Sequence, residues 1–302
     1  MASLLDGVFA AAITPFDVEG VIDYEQLERH LKHLEAKGCQ GALLSGTTGE
    51  GPSLSVDERI RLFEFAAART SSLLSVAGTM TANLPETIKL TRAAYDAGLE
   101  ITLLGPPFFF RQASDEGLFA TYKQVLDAAV PSDGKVLLYH NPGVFGLGLS
   151  IDAIVKLRTA YPQQIIGIKD SSGDLDFNRQ LCERLPDFKV LLGADKLLSA
   201  ALAHGASGAM TAMSNLFPDL LIDVMQQSDA QARVDQAVEK FAGLPYVAAI
   251  KYLLKRGEVI ENEAVRLPLL PLAEAETQLL VERFHLNATS PWSDSAKIGA
   301  EE

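Results

Sequence analysis

Eight continuous apolar runs punctuate this chain, and a segment with helical spacing follows each one. The runs cover residues 7–16, 41–45, 73–78, 99–105, 136–139, 165–169, 190–193 and 206–211. They do not alternate apolar with polar, which is the pattern of parallel strands covered by helices. Between the first two, Asp23 with Gln26 has the spacing of a capping box, and Leu27, Leu31 and Leu34 follow at helical intervals. Gly38 stands where a helix C-cap belongs. Ser55 with Glu58 and Asn83 with Glu86 repeat the start signature, and Gly98 closes the third helix. Ser114 opens another helix, with Leu118, Tyr122, Val125, Leu126 and Ala129 on one face.

Eight such units of roughly 30 residues predict an α/β fold, a (β/α)8 TIM barrel. A doubly wound open sheet also alternates strand and helix, but the count of eight and the lack of G-x-G-x-x-G after the first strand favour the barrel. After Asn215 the pattern changes, and 217–242, 245–255 and 272–285 read as helices. The expected organisation is a catalytic barrel over 1–216, a C-terminal helical appendix over 217–286 packed on it, and a loose polar tail over 287–302. A chain of 302 residues suffices for one large core.

Charge and composition remove several function classes. The formal net charge of −13 argues against nucleic acid, whose binding needs basic patches. It also requires that an anionic substrate be held by local groups. No apolar run of about 18 residues is present, so no membrane span is expected. The first residues lack the basic and apolar regions of a signal peptide. The two cysteines, Cys39 and Cys182, have neither C-x-x-C nor metal-like spacing. A reducing, cytoplasmic location without disulfides is the expectation.

In a barrel the chemistry gathers where strands run into loops. Strand six ends in I-I-G-I-K-D-S-S-G, residues 165–173, so Lys169 stands at the end of an apolar strand. Lost water disfavours the ammonium form there, and a neutral amine is a nucleophile toward carbonyls. The plainer reading is a lysine that snorkels out of a strand end. Strand five ends in Y-H-N-P-G, residues 139–143, one repeat before Lys169. Tyr139 and Lys169 therefore fall at equal heights on adjacent strands, a phenol proton donor beside a nucleophile. Strand two runs into G-T-T-G-E, residues 46–50. Thr47 and Thr48 offer hydroxyls and glycine-flanked backbone N–H groups, which can hold a carboxylate without a cation. His30 and His33 lie i, i+3 on a helix with no third ligand evident, so a solvated face is expected rather than a metal site. Strand alternation turns His140 away from Tyr139, toward packing or hydrogen bonding.

These three motifs, in this order and spacing, resemble the pyruvate-dependent family of dihydrodipicolinate synthase, N-acetylneuraminate lyase and 2-keto-3-deoxygluconate aldolase. The resemblance covers about residues 5–285. It implies that Lys169 forms a Schiff base with the keto carbon of pyruvate or another 2-oxo acid. It implies that Tyr139 relays the proton, that Thr47 and Thr48 bind the carboxylate, and that Thr48 also joins the relay. It implies too that Gly193 and Met210 fall at positions that line the same mouth in relatives. No metal or cofactor is implied beyond the imine. The implied partners are a small 2-oxo acid and an aldehyde, and the implied assembly is a homotetramer or possibly a dimer.

Two departures bear on the second substrate, whose pocket should include Val144 and Phe109. In the synthases an arginine follows the Y-x-x-P segment by two residues and binds the carboxylate of aspartate semialdehyde. Here Val144 and Phe145 follow. Many members also supply a tyrosine from a neighbouring subunit after strand four. Here that segment reads Phe108, Phe109, Phe110, and phenylalanine has no hydroxyl to pass a proton. Arg111 could reach a carboxylate from this loop, although a solvated loop arginine is the commoner role. The expected function is a Schiff-base lyase or aldolase acting on pyruvate or a 2-keto-3-deoxy acid. The alternatives are a 4-hydroxy-tetrahydrodipicolinate synthase and a non-catalytic 2-oxo-acid binder on the same scaffold.

Overall fold

The computed structural model describes residues 4–69, 71–227 and 230–286. Eight parallel strands close into a barrel in sequence order: β1 (Gly7–Ala11), β2 (Gly41–Leu44), β3 (Leu74–Gly78), β4 (Ile101–Leu104), β5 (Lys135–His140), β6 (Ile165–Asp170), β7 (Lys189–Leu192) and β8 (Gly208–Thr211). β8 pairs with β1, with Gly7 opposite Gly208, which completes the ring. The first run is the largest departure from expectation. It leaves the sheet at Ala11, and residues 12–16 form a buried loop instead of more strand.

The outer helices follow the strands: α1 (Tyr24–Ala36), α2 (Val56–Ala67), α3 (Leu84–Asp96), α4 (Asp115–Ala129), the one-turn α5 (Pro142–Phe145), α6 (Ile151–Ala160), α7 (Leu175–Arg184) and α8 (Leu198–Ala203). Then come α9 (Pro218–Gln226), α10 (Gln231–Glu239), α11 (Tyr246–Arg256) and α12 (Glu274–Arg283). The helix expected over 217–242 is thus two. α9 follows β8 and packs on β1 and α8, so it is the barrel's own eighth helix and the barrel runs past residue 216. The appendix proper is α10 to α12. The expected loose tail, 287–302, lies outside the described residues.

The helix starts follow local chemistry. Ser55 accepts from the Glu58 N–H while Glu58 reaches back to the Ser55 N–H, a complete capping box. Asp23 caps α1, but Gln26 does not close the box. Its amide oxygen accepts instead from the N–H groups of Glu261 and Asn262, at 2.6 and 3.2 Å. Gly38 and Gly98 follow α1 and α3 in left-handed backbone, at φ +87° and +101°.

Two cores result. The larger lies between the strands and the helices. The smaller fills the barrel with Phe9, Leu43, Val76, Leu103, Leu137, Leu191 and Met210, topped by Tyr139 and Phe145. Gly41 makes the interior possible, because a Cβ there would lie 2.6 Å from the Phe9 ring. The barrel is therefore plugged by side chains, and only its C-terminal mouth has room for a ligand.

His30 corrects the expectation of a solvated face. It is fully buried, and its Nε2 lies 2.9 Å from Asn215 Oδ1. Asn215 ties the barrel closure together, accepting from the Ile13 N–H and donating to the Ala11 carbonyl. Burial pushes the His30 imidazole down to about 4, against the pull of the Asn215 bond. Among the described residues no helix is long and apolar enough to cross a membrane. No cluster of three or more His, Cys, Asp or Glu among them could hold a metal ion.

Candidate active site

The β5–β6 register sets Tyr139 beside Lys169 and His140 beside Asp170. Tyr139 and Lys169 share the inner face of the barrel and are 2% and 4% exposed. The Lys169 ammonium lies 4.7 Å from the centroid of the Tyr139 ring. Burial alone would raise the Tyr139 phenol. The Lys169 charge opposes this, and the side chains of Asn141, Thr47 and Ser171 add hydrogen bonds, so the phenol ends below the ordinary tyrosine value. Asn141 is the best defined of these partners. Its Nδ2 donates to the Tyr139 hydroxyl at 3.0 Å, while its Oδ1 caps α5 by accepting from the Val144 N–H.

The turn after β2 brings up the two threonines. Thr47 is exposed at the mouth, and Thr48 is only 9% exposed. The Thr47 side chain hydrogen-bonds the Tyr139 phenol, and Thr48 is the more buried of the two.

Gly193 follows β7, and its N–H donates to the Asp170 carbonyl at 2.7 Å. A Cβ here would collide with Ser171 Oγ, so the glycine leaves space for the serine that bonds Tyr139. Met210 is fully buried in the inner core below Tyr139. His140 faces outward as expected: it stacks on Phe177 at 4.3 Å, and its Nδ1 accepts from the Leu149 N–H. Burial lowers its imidazole and raises the adjacent Asp170 carboxyl.

A cavity of about 580 Å³ adjoins the mouth. Thr47, Phe108, Val144 and Phe145 wall it on the barrel side, and Arg59 and Glu86 on the helix side. Phe145 joins the two regions, edge-on to Tyr139 at 5.1 Å and stacked on Phe108 at 5.9 Å. Val144 is 55% exposed on α5, so no cation stands at the position it occupies. Phe109 does not line this cavity. It is 76% exposed and pairs edge-on with Phe110, because only the first residue of the triplet turns inward. Arg111 is exposed and lies across Gly146, where a Cβ would come within 2.7 Å of its Nε.

Three residues at the mouth were not singled out by the sequence reading. Asn141 and Ser171 sit inside its quoted motifs, two residues after Tyr139 and Lys169. Asp195 follows Gly193, and burial pushes its carboxyl up to about 6 despite a Thr211 hydrogen bond and the Lys169 charge. Its Oδ1 has no partner among the described residues. A G-A-D turn directly after strand seven was the available signal.

The profile of the dihydrodipicolinate synthetase family matches residues 4–285. An uncharacterized DapA-like lyase from Chloroflexus aurantiacus is 39% identical over 282 residues, covering 91% of this chain and 94% of the relative. The 4-hydroxy-tetrahydrodipicolinate synthase of Bacillus subtilis is 31% identical, covering 89% and 94%. Among solved structures, an E. coli K12 prophage protein of the dihydrodipicolinic acid synthase family, crystallised with pyruvate, superposes with a TM-score of 0.85. It is 25% identical and covers 94% of this chain and 100% of its own.

Proposed function

The chain belongs to the dihydrodipicolinate synthetase family and is a lyase of that family, and we propose that it works through an imine on Lys169. The substrate is pyruvate or a 2-keto-3-deoxy acid, and no metal takes part. The observation that carries this reading is the Lys169 ammonium 4.7 Å from the Tyr139 ring centroid, with the Tyr139 hydroxyl fixed by Asn141. The pyruvate complex of the E. coli relative supports it.

The lysine attacks as the neutral amine. Its nitrogen adds to the keto carbon, and the carbinolamine then loses water to give the protonated imine. That cation draws electrons from the neighbouring carbon. Loss of a proton there gives an enamine that can add to an aldehyde, and the reverse sequence cleaves the carbon–carbon bond. Tyr139, with its lowered phenol, gives and takes these protons, and Thr47 stands beside it. The N–H groups and hydroxyls of Thr47 and Thr48 receive the substrate carboxylate.

Two observations favour a 2-keto-3-deoxy sugar acid or a neutral aldehyde as the further substrate. Val144 offers no charge-assisted pair to a second carboxylate. Phe108 and Phe145, stacked on each other, make the same wall of the cavity aromatic and offer no cation either. The second reading is condensation of pyruvate with aspartate semialdehyde, which the name of the B. subtilis relative supports. A purely binding role gives way to membership of a lyase family. Two free cysteines suit a cytoplasmic location, and the exposed Phe109 and Phe110 suit a homotetramer or dimer.

Borohydride reduction with pyruvate tests the imine. Intact protein should gain the mass of the reduced adduct, and Lys169→Ala should not. Equal adducts on both proteins would assign the chemistry to another lysine.

A further inference from the structure

The turn that carries Thr47 and Thr48 is held from outside the barrel. Glu50 closes it in left-handed backbone at φ 55°, a conformation that costs a non-glycine residue about 1–2 kcal/mol. The carboxylate of Glu50 is buried, and so is Lys251 in α11. Lys251 Nζ donates to Glu50 Oε1 at 2.5 Å and to the Ala264 carbonyl at 2.7 Å. Glu50 Oε2 accepts from the Arg266 N–H at 2.8 Å. The Lys251 ammonium and the Arg266 guanidinium both face the Phe16 ring, 4.2 and 4.6 Å from its centroid. Within the turn, the Glu50 N–H donates to the Thr47 carbonyl and the Gly51 N–H to the Gly46 carbonyl.

A fully buried ion pair is a poor source of net stability, because desolvation offsets its attraction and a packed apolar pair often does as well. What it supplies is position. Glu50 has two oxygens fixed by two different donors of the C-terminal region, two residues from Thr48.

We propose that Glu50 and Lys251 are positioning residues. They hold the Thr47–Thr48 turn in the shape that receives the substrate carboxylate, so capture of a 2-oxo acid depends on α11. This rests on reading that turn as the carboxylate site. Neither residue touches the substrate, so loss of the pair acts on saturation by pyruvate rather than on the amount of imine formed at saturation.

The test is borohydride trapping across a pyruvate series, on intact protein, Lys251→Met, the double variant Glu50→Gln/Lys251→Met, and Arg69→Met. The single variant strands a buried carboxylate and can unfold; the double variant removes both charges. Arg69→Met breaks the ion pair between the segment after α2 and Glu28 of α1, which involves no residue of the Thr47–Thr48 turn, and so reports general destabilisation. The double variant should need about tenfold more pyruvate for half-trapping, since a displacement near 1 Å can cost up to about 10²-fold. Its trapped fraction at saturation should match that of intact protein, and Arg69→Met should leave half-trapping unchanged. Unchanged half-trapping in a folded double variant overturns the positioning role alone. An equal rise in Arg69→Met overturns it too, in favour of general loosening. Absence of any adduct on intact protein overturns the imine reading, and the positioning role with it.

Discussion

Tyr139 is buried to 2% of its surface, yet its phenol is held below the ordinary tyrosine value. Burial alone would do the opposite, so the balance depends on Lys169 first, and then on Asn141, Thr47 and Ser171. Replacing Tyr139 by Phe keeps the ring that packs edge-on to Phe145 and removes the hydroxyl that carries the proton and accepts from Asn141. Turnover should fall about 10²–10⁴-fold, the usual contribution of a general acid–base group, while borohydride still traps the pyruvate adduct. Near-normal turnover in Tyr139→Phe would move the relay elsewhere. Thr47→Val should lower turnover, and Thr48→Val should mainly raise the pyruvate requirement. The reverse pattern, measured as separate kcat and KM effects, would place Thr48 in the relay. Lys169 and Tyr139 were legible in the sequence because strand register converts one repeat of spacing into adjacency. The ordering of the two threonines was not legible. It depends on the backbone of one tight turn, where no periodicity applies.

At the scale of elements, α2 is fixed at its start by two independent devices. The Ser55–Glu58 capping box could be read from spacing alone. The second device could not: the Glu58 carboxylate also pairs with Arg266, 208 residues away, with Nη2 to Oε1 at 2.5 Å. Arg266 further donates to the carbonyls of Gly20 and Ser53, so one strap residue joins three loops at the mouth. The Arg266 hydrogen bond holds the Glu58 carboxyl down at about 2. A carboxylate depressed on folding contributes stability above its unfolded value near 4.5, and that contribution is lost as pH falls toward about 2. His30 acts earlier. Its neutral form is favoured on folding, so its contribution is lost as pH falls from about 6.5 to about 4. Chemical denaturation across this range should show stability falling in both windows. Glu58→Gln should flatten only the lower one, and a curve unchanged in Glu58→Gln would remove the Arg266 pair from the account. His30 also marks where periodicity misleads. Two histidines at i, i+3 read as a polar face, but Asn215 makes burial of the first possible from 185 residues away.

For the whole molecule, closure of the barrel settles the geometry of the mouth and leaves specificity to the loops. Strand count and unit length were enough to read the (β/α)8 architecture. The division between barrel and appendix was not, because α9 looks in sequence like the helices that follow it. The loops after β4 and β5 carry the remaining chemistry, and they are where the chain departs from the synthases it resembles. Val144 on α5 stands beside the cavity without a charge, and Phe108 and Phe145 make the same wall aromatic. A second carboxylate bound there would lose water and gain no bidentate partner. Condensation of pyruvate with aspartate semialdehyde should therefore be slow in kcat/KM. Cleavage or dehydration of 2-keto-3-deoxy sugar acids, or addition to a neutral aldehyde, should be faster. Val144→Arg should raise activity toward aspartate semialdehyde about tenfold or more, the effect expected of a charge-assisted pair worth about 1.5–3 kcal/mol. It should leave pyruvate trapping unchanged, because Val144 is not among the groups that receive the pyruvate carboxylate. The decisive measurement is kcat/KM over a panel of aldehydes and keto-deoxy acids for both proteins. If unmodified protein prefers aspartate semialdehyde by more than tenfold, the argument from Val144 fails. Arg111, already lying across Gly146, then becomes the cation to remove next, because it alone on the loop after β4 carries a charge that can turn toward α5.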